Sequence, residues 1–281
     1  MNVADAIGEA SLLLEQGGVT EARREAASLA AHALKRTRTF FIAHPEYELT
    51  QTEFVRYREA VTRRAKREPF QYIVGHQEFF GLNFAVGPGV LIPRPETEIL
   101  VEHAIERLQN VENPTFCEIG IGSGCIAVSI LKNLPSATAI GVDSAAPALE
   151  FARRNASVHG VGDRLQLLNS DMFSSVPNLR FDAIVSNPPY IPAADIANLQ
   201  AEVRDHEPLD ALTDGADGLS MTRRIIERSP DRLRKGAFLA IEIGFGQAES
   251  VKELFADGLW DRVKFFEDLQ RIPRTVFAVS R

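Results

Sequence analysis

The fold of this chain is decided by the stretch Phe116-Cys117-Glu118-Ile119-Gly120-Ile121-Gly122-Ser123-Gly124-Cys125-Ile126-Ala127-Val128. It predicts a short buried strand, a glycine-rich turn and a helix over about residues 123–133. Glycines let the backbone turn tightly and approach a ligand closely at the start of a helix. A dinucleotide-binding turn needs the spacing G-x-G-x-x-G, which would place its third small residue at Cys125. Here the spacing is G-x-G-x-G after Glu118, and that carboxylate would repel a pyrophosphate but suits a cationic or amine-bearing ligand.

Two further acids follow the next two predicted strands. Residues 137–142 form a predicted strand that leads into Asp143, and residues 164–168 form another that is followed by Asp171 and Met172. Ligands of open α/β sheets lie at the carboxyl ends of the strands, where an acid can bind a ribose diol. We expect Asp143 to bind ribose hydroxyls, Asp171 to accept from an adenine amino group, and Met172 to pack on the ring. Three such acids predict S-adenosylmethionine, which carries an amino group, a sulfonium and an adenosine.

A stiff turn, Asn187-Pro188-Pro189-Tyr190, follows the predicted strand 181–186. The residue before a proline is pushed out of helical geometry, and two successive prolines fix φ and remove two N–H donors. An Asn amide, several carbonyl acceptors and an aromatic ring remain, and together they suit a planar NH2 group. We predict that Asn187 Oδ1 and the Pro188 carbonyl each accept one hydrogen of that group, while Tyr190 packs against it.

The predicted site therefore works by positioning and electrostatics, because the turn contains no His, Lys or Cys that could act as a base or covalent carrier. The predicted catalytic residues are Asn187, Pro188 and Tyr190. The predicted substrate-binding residues are Asn187, Pro188, Pro189 and Tyr190. The predicted cofactor-binding residues are Glu118, Gly120, Ile121, Gly122, Ser123, Gly124, Asp143, Asp171, Met172 and Asn187.

These residues resemble the release factor glutamine methyltransferases, a family of class I S-adenosylmethionine enzymes. Three further segments are similar to that family: Pro69-Phe70-Gln71-Tyr72-Ile73-Val74-Gly75, Leu91-Ile92-Pro93-Arg94-Pro95-Glu96-Thr97-Glu98 and Asp268-Leu269-Gln270-Arg271-Ile272-Pro273-Arg274. The resemblance implies methylation of the side-chain N5 of a glutamine, in the Gly-Gly-Gln loop of peptide chain release factors. Those factors would then be the protein partner. Glu118 stands where many members have Asp, and its longer arm leaves the expected amino-group contact intact.

Three alternatives remain open from the sequence. A glutamine methyltransferase acting on a ribosomal protein would share nearly all these residues. An adenine-N6 methyltransferase would use the same Asn-Pro-Pro-Tyr motif on a flipped base, although it lacks the Pro-Arg-Pro-Glu-Thr-Glu segment and the tail. A non-catalytic binding protein would keep the cofactor fold without methyl transfer. The net charge of −7 disfavours direct DNA binding, since duplex-binding enzymes usually carry a basic footprint.

Hydrophobic periodicity predicts three regions. Residues 1–75 form a helical domain that we expect to dock the substrate. A first helix carries Ala4, Ile7, Ala10, Leu13 and Leu14 on one face, and a second runs over about residues 20–34. The capping-box spacing of Thr50-Gln51-Thr52-Glu53 opens a third. Residues 76–95 form a β-hairpin and a proline-rich connector. Residues 96–281 begin with a helix at 96–109 and carry strands at 116–119, 137–142, 164–168, 181–186, 236–243, 260–266 and 274–279. This alternation predicts an α/β fold with a Rossmann-like doubly wound sheet; the resemblance makes it the class I methyltransferase fold and the last two strands its antiparallel edge.

Composition and charge narrow the class of protein. Of the 281 residues, 45% are apolar and 25% charged, as in a soluble globular protein. We expect a cytoplasmic protein, because no apolar run has membrane-spanning length and the N-terminus lacks a signal pattern. The two cysteines have no metal-ligand spacing, so we expect reduced thiols and no metal site. We expect a basic stretch between positions 56 and 67 to dock the protein substrate, although charge on a helix is more often a solvated face.

Overall fold

The computed structural model describes residues 1–256 and 258–281. It divides into two compact units: Met1–His76 with Gln200–His206, and Gln77–Leu199 with Glu207–Arg281. The segment Gln200–His206 thus belongs with the N-terminal helices, although the sequence had placed it in the predicted domain 96–281. Each unit has its own hydrophobic core.

The regular secondary structure of the first unit is helical in its described residues, apart from an isolated bridge between Asn2 and Glu48 and the first residue of the hairpin, His76. Its helices are α1 (Val3–Gln16), α2 (Ala22–Leu34), α3 (Arg38–Ala43), α4 (Gln51–Ala65), α5 (Phe70–Val74) and, later in the chain, α9 (Ala201–His206). The capping box that the sequence predicts is present, since Thr50 and Glu53 each bond the backbone N–H of the other. The predicted face of α1 is confirmed at Ala10 and Leu14, which are buried, and at Ile7, which packs against the core. It is wrong at Ala4 and Leu13, which are exposed, while Val3 and Ala6 are buried instead.

The second unit is built on a seven-stranded sheet that follows a separate hairpin, β1 (His76–Phe79) and β2 (Leu82–Ala85). The sheet strands are β3 (Thr115–Ile119), β4 (Thr138–Asp143), β5 (Leu165–Asn169), β6 (Phe181–Ser186), β7 (Leu233–Glu242), β8 (Trp260–Glu267) and β9 (Pro273–Ser280). Their order is β5-β4-β3-β6-β7-β9-β8. Strands β3 to β7 pair in parallel, and β9 runs antiparallel between β7 and β8, which confirms the predicted edge.

Helices cover both faces of this sheet, as a doubly wound fold requires. These helices are α6 (Glu98–Leu108), α7 (Cys125–Asn133), α8 (Ala146–Val158), α11 (Ser220–Arg228) and α12 (Ala248–Glu253); the short α10 (Leu209–Leu212) borders the cleft at the carboxyl ends of the strands. Side chains alternate along each strand, so Phe116 and Val185 join a core with α6, α7 and α8. Cys117 and Ile184 join a second core with α11 and α12. The predicted fold class is therefore confirmed.

Short 3-10 helices connect several elements of the second unit, at Pro95–Thr97, Gly162–Arg164, Ala193–Asn198 and Pro230–Arg232. The first of them begins with a proline and replaces the opening turn of the helix predicted at 96–109. It carries Thr97, which is 1% exposed, to the carboxyl end of the sheet.

Half of the basic stretch, which covers α4 and the two residues after it, is neutralised inside the first unit. Arg64 is 5% exposed; its guanidinium binds Glu25 and lies 2.9 Å from Glu202. Arg67 also binds Glu202, and Arg63 binds Glu68. The expectation that these three arginines are free docking charges is therefore corrected, since each guanidinium already has a carboxylate partner. The exposed cations that remain in this stretch are Arg56, Arg58 and Lys66.

Removing the Arg64 guanidinium should destabilise the first unit. Arg64→Met would leave the partly buried Glu25 without its cation and Glu202 with Arg67 alone. Removing one partner of a buried ion pair typically costs about 3 kcal/mol or more. Urea unfolding followed by circular dichroism measures the change. Arg56→Met, at an exposed position of the same helix, is the matched control and should change little. Equal unfolding curves for the two variants would show that the buried ion pairs contribute no net stability.

Candidate functional site

A cleft in the second unit lies at the carboxyl ends of the parallel strands, where open α/β sheets bind their ligands. It brings together most of the predicted site residues: Glu118, Gly120, Ile121, Gly122, Ser123, Asp143, Asp171, Met172, Asn187, Pro188 and Pro189. Gly124 and Tyr190 are not part of its lining. The cleft is also lined by residues to which the sequence assigned no role, among them Val90, Arg94, Thr97 and Ser170.

The glycine turn leaves open space beside its backbone. Gly120 and Gly122 have φ of 72° and 53°, and a Cβ built on Gly122 would meet only Val90, at 4.0 Å. The turn is held from below, because the N–H groups of Gly120 and Ile121 both donate to the Val142 carbonyl at 2.9 Å. The result is a fixed stretch of backbone with room for a ligand against it.

Gly124 allows α7 and α8 to pack, and its predicted contact with the cofactor stays a prediction. Its added Cβ would lie 3.2 Å from the backbone of Ala152 in α8. Nearby, the buried Asn155 of α8 donates to the Ser123 carbonyl at 2.8 Å and exchanges hydrogen bonds with the backbone of Ala85. Asn155 therefore joins the glycine turn to β2, and no local sequence signal identifies it.

Glu118 closes the floor of the cleft and caps α7. Its carboxyl is 1% exposed and accepts from the backbone N–H of Ala127 at 2.8 Å, in the first turn of the helix. Burial raises the pKa of Glu118 well above its ordinary value, and the charge of Asp143 adds to the rise. A cationic group in the cleft would favour the ionised carboxylate, so this site suits a ligand amine.

Asp143 lies at the end of β4 and already holds the glycine turn. Its Oδ2 accepts from Gly122 N at 3.0 Å, and its Oδ1 accepts from Ala145 N at 2.9 Å. Burial raises the pKa of Asp143, while these backbone hydrogen bonds oppose the rise. A carboxylate has about four lone-pair sites, so two remain for the hydroxyls of a diol.

Asp171 and Met172 lie together at the end of β5, as the sequence predicts. Met172 is 3% exposed and lines the cleft. Both oxygens of Asp171 accept from Arg224 of α11, at 3.0 and 2.8 Å, a partner that the sequence did not reveal. The carboxylate is exposed, so it keeps lone pairs for a second donor such as an exocyclic amine.

The Asn-Pro-Pro-Tyr turn is tied down at both ends. Before it, the buried Ser186 hydroxyl donates to the Ile119 carbonyl at 2.8 Å. After it, Gln247 Nε2 donates to the Tyr190 carbonyl at 2.9 Å, and Gln247 Oε1 accepts from Gly244 N at 2.8 Å. Two glycines lie very close to Tyr190. A Cβ built on Gly218 would lie 2.2 Å from the Tyr190 carbonyl oxygen, and a Cβ built on Gly244 would lie 3.1 Å from the Tyr190 ring.

The side chains of this turn point in two directions. Asn187 lines the cleft and donates from Nδ2 to Thr97 Oγ1 at 3.3 Å. Tyr190 instead donates its hydroxyl to Glu242 Oε1 at 3.2 Å, and burial raises the pKa of the phenol. Thr97 and Glu242 were assigned no role from the sequence. Glu242 could have been found, because it is another acid at the carboxyl end of a parallel strand.

The side chains and backbone that line this cleft have the chemistry needed to bind S-adenosylmethionine. Open space beside the glycine backbone, a buried acid for an amine and an acid with free lone pairs for a diol lie in one cleft. No cluster of metal-ligating side chains was found among the described residues, and none of their helices is long and apolar enough to cross a membrane. The fold and the cleft define a class I S-adenosylmethionine-dependent methyltransferase.

Comparisons with known proteins give the family. The model of the PrmC N-terminal domain matches residues 5–75, and that of the methyltransferase small domain matches residues 95–203. The chain is 45% identical to the release factor glutamine methyltransferase of Geobacter sulfurreducens, over 86% of this chain and 84% of that one. It is 42% identical to that of Moorella thermoacetica, over 90% and 89% of the two chains. The chain belongs to the release factor glutamine methyltransferase family.

Solved structures agree on the fold. A methyltransferase from Pyrococcus furiosus is 18% identical, with a TM-score of 0.52 over 72% of this chain and 90% of that one. At that identity the likeness shows the fold alone.

Changing Asp143 should weaken cofactor binding. Asp143→Asn removes a charged acceptor, and hydrogen bonds to charged groups contribute roughly 1.5–3 kcal/mol each. The Kd for S-adenosylmethionine, measured by calorimetry, should rise at least about tenfold. Asp163→Asn, at an exposed acid on the short helix Gly162–Arg164, should leave the Kd unchanged. An unchanged Kd in folded Asp143→Asn would contradict the ribose-binding role.

Proposed function

We propose that this protein transfers a methyl group from S-adenosylmethionine to the side-chain N5 of the glutamine in the Gly-Gly-Gln loop of peptide chain release factors. One observation carries the proposal: Asn187 and Pro188 line the same cleft as Glu118 and Asp143, so an amide held by the turn lies beside the cofactor site. The names of the most similar relatives support the same substrate. Release factors act in translation, so this substrate is consistent with a protein that works in the cytoplasm.

The chemical difficulty lies in the acceptor, because a carboxamide lone pair is delocalised into its carbonyl. When bound, S-adenosylmethionine supplies an electrophilic methyl group on its sulfonium. The protein's task is to hold the amide: Asn187 Oδ1 and the Pro188 carbonyl accept its two hydrogens, which favours a geometry that frees the nitrogen lone pair. Pro189 keeps the turn rigid, and Tyr190 supports it from behind through Glu242.

Proton transfer to a protein base is not needed in this scheme. The described lining of the cleft contains no histidine or lysine. Burial also raises the pKa of the Cys125 thiol, which leaves that thiol neutral. The methylated amide is strongly acidic before it loses a proton, so water can accept that proton after transfer.

A parallel assay tests the substrate. Labelled S-adenosylmethionine is incubated with the protein and, separately, a purified release factor, ribosomal proteins and DNA. We expect label only on the release factor, and none when the glutamine of its Gly-Gly-Gln loop is replaced by alanine. Label on ribosomal protein or DNA instead would overturn the proposed substrate.

The role of Asn187 is tested by substitution. Asn187→Ala should lower kcat about a hundredfold, as the loss of a preorganised polar group typically does, with a much smaller change in cofactor Kd. An Asn187→Ala variant that keeps more than about a tenth of the wild-type kcat would overturn this role.

We also propose that the N-terminal unit docks the whole release factor, while the cleft alone recognises the glutamine. Its support is the separate helical unit and the exposed cations Arg56 and Arg58 on α4. Peripheral charges mainly change the rate of encounter and its dependence on salt.

Charge reversal separates docking from catalysis. Arg56→Glu with Arg58→Glu should raise KM for whole release factor several-fold and reduce its salt dependence, because the encounter loses electrostatic attraction. KM for a short Gly-Gly-Gln peptide should not change. Arg153→Glu with Arg154→Glu, an exposed pair on α8, is the matched control. An equal effect of both double variants, or an equal loss on peptide and protein, would mean that α4 does not dock the substrate.

A further inference from the structure

A buried acid whose only contact described so far is with Tyr190 lies behind the Asn-Pro-Pro-Tyr turn. Glu242 is the last residue of β7 and is 2% exposed. Its Oε1 accepts from the Tyr190 hydroxyl, whereas its Oε2 is buried and has no hydrogen-bond partner in the described parts of the chain. Burying a carboxyl oxygen without a partner costs free energy. Its presence here therefore calls for a functional explanation.

Two segments that carry the family resemblance meet at this acid. Thr97 comes from the Pro-Arg-Pro-Glu-Thr-Glu segment, and Arg274 from the tail. Burial raises the pKa of Glu242 to about 7, and the neighbouring side chains of Thr97 and Tyr190 oppose the rise. Thr97 is itself buried, and its oxygen accepts from Asn187 Nδ2. Thr97 thus stands between the acid and the amide that faces the cleft.

The direction of these hydrogen bonds matters for the reaction. A threonine hydroxyl has one proton to donate and lone pairs with which to accept, whereas an ionised carboxylate only accepts. When Thr97 turns its proton toward Glu242, its oxygen can bond only the NH2 end of Asn187. That arrangement leaves Asn187 Oδ1 for the cleft, and Oδ1 is the acceptor that a substrate NH2 group needs.

We propose that Glu242 is a positioning residue that, through Thr97, orients the Asn187 amide with Oδ1 toward the substrate. The inference rests on the proposed function, because it takes the acceptor to be an amide NH2 group. Where Glu242 carries a proton or is replaced by glutamine, it can itself donate to Thr97. The Thr97 proton is then free to turn to Asn187, whose amide flips so that Oδ1 accepts it. The NH2 group of Asn187 would then face the substrate NH2 group, and neither can accept a hydrogen bond from the other.

The orientation should therefore depend on pH. Deprotonation favours the productive arrangement, so kcat should rise with pH through a midpoint near 7. The charged or titratable groups that change the pKa of Glu242 are Glu96, Arg274 and Tyr190. Glu242 in turn raises the pKa of Cys125. Glu96 raises the pKa of Glu242 and Arg274 lowers it, while burial keeps Tyr190 and Cys125 neutral by raising the pKa of each.

Kinetics on intact protein with a release factor test the relay. Glu242→Gln should lower kcat at least about tenfold above pH 8, with KM and cofactor Kd within about twofold, and should lose the rise of kcat with pH. Thr97→Val, which keeps the shape and removes the hydroxyl, should do the same. Thr97→Ser should restore the pH profile that Thr97→Val loses. If Glu242→Gln does not fold, the Thr97 pair alone decides the question.

A second readout does not depend on the reaction. The side-chain NH2 signals of Asn187, assigned in ligand-free protein by their loss in Asn187→Ala, should shift with pH near 7 in wild type. They should not shift in Glu242→Gln. An unaltered kcat in Glu242→Gln and Thr97→Val, or a pH profile that survives in them, would overturn the relay. Failure of wild type to methylate any release factor would overturn the proposed function instead, and the NMR titration would still test the orientation.

Discussion

Parallel pairing of β3 with β4 on one side and β6 on the other is the constraint on which the site depends. Ile119 stands in register with Val142 and with Ser186, so the residues after all three strands emerge side by side. The glycine turn, Asp143 and the Asn-Pro-Pro-Tyr turn become neighbours for this reason alone. Gly141 completes the arrangement, because a Cβ there would lie 2.1 Å from Ile121, whose side chain occupies the space over β4.

The sequence predicts the sheet and most of the cleft because both depend on short-range patterns. Apolar runs of strand length alternate with helical periodicity, and acids follow the strand ends, so Asp143 and Asp171 could be placed at one edge. Glu242 was missed because its strand was predicted to continue to residue 243, which put the acid inside a strand rather than at its end. Asn155 and Thr97 act through partners far away in sequence, and no local pattern reports such contacts.

Charges on α4 illustrate the same limit. A cluster of arginines on one helix has the pattern of a docking surface, yet Arg64 and Arg67 share Glu202, which lies in the late segment Gln200–His206. Only tertiary structure shows that these cations are paired. The error in α1 has a related cause: alternative faces of a helix rich in alanine and leucine differ little in hydrophobicity, so packing decides which of them is buried.

The clamp around Tyr190 has a consequence for how this sequence can vary. Gly218 and Gly244 lie outside the lining of the cleft, so a search for ligand contacts would rank both as free positions. Yet a single added methyl group at residue 218 would overlap the Tyr190 carbonyl oxygen, and one at 244 would press on Gln247 and the tyrosine ring. Libraries that aim to redirect this enzyme to other amides should therefore keep both glycines fixed and diversify the rim of the cleft. The shape of the Asn-Pro-Pro-Tyr turn therefore depends on backbone that lies outside the cleft.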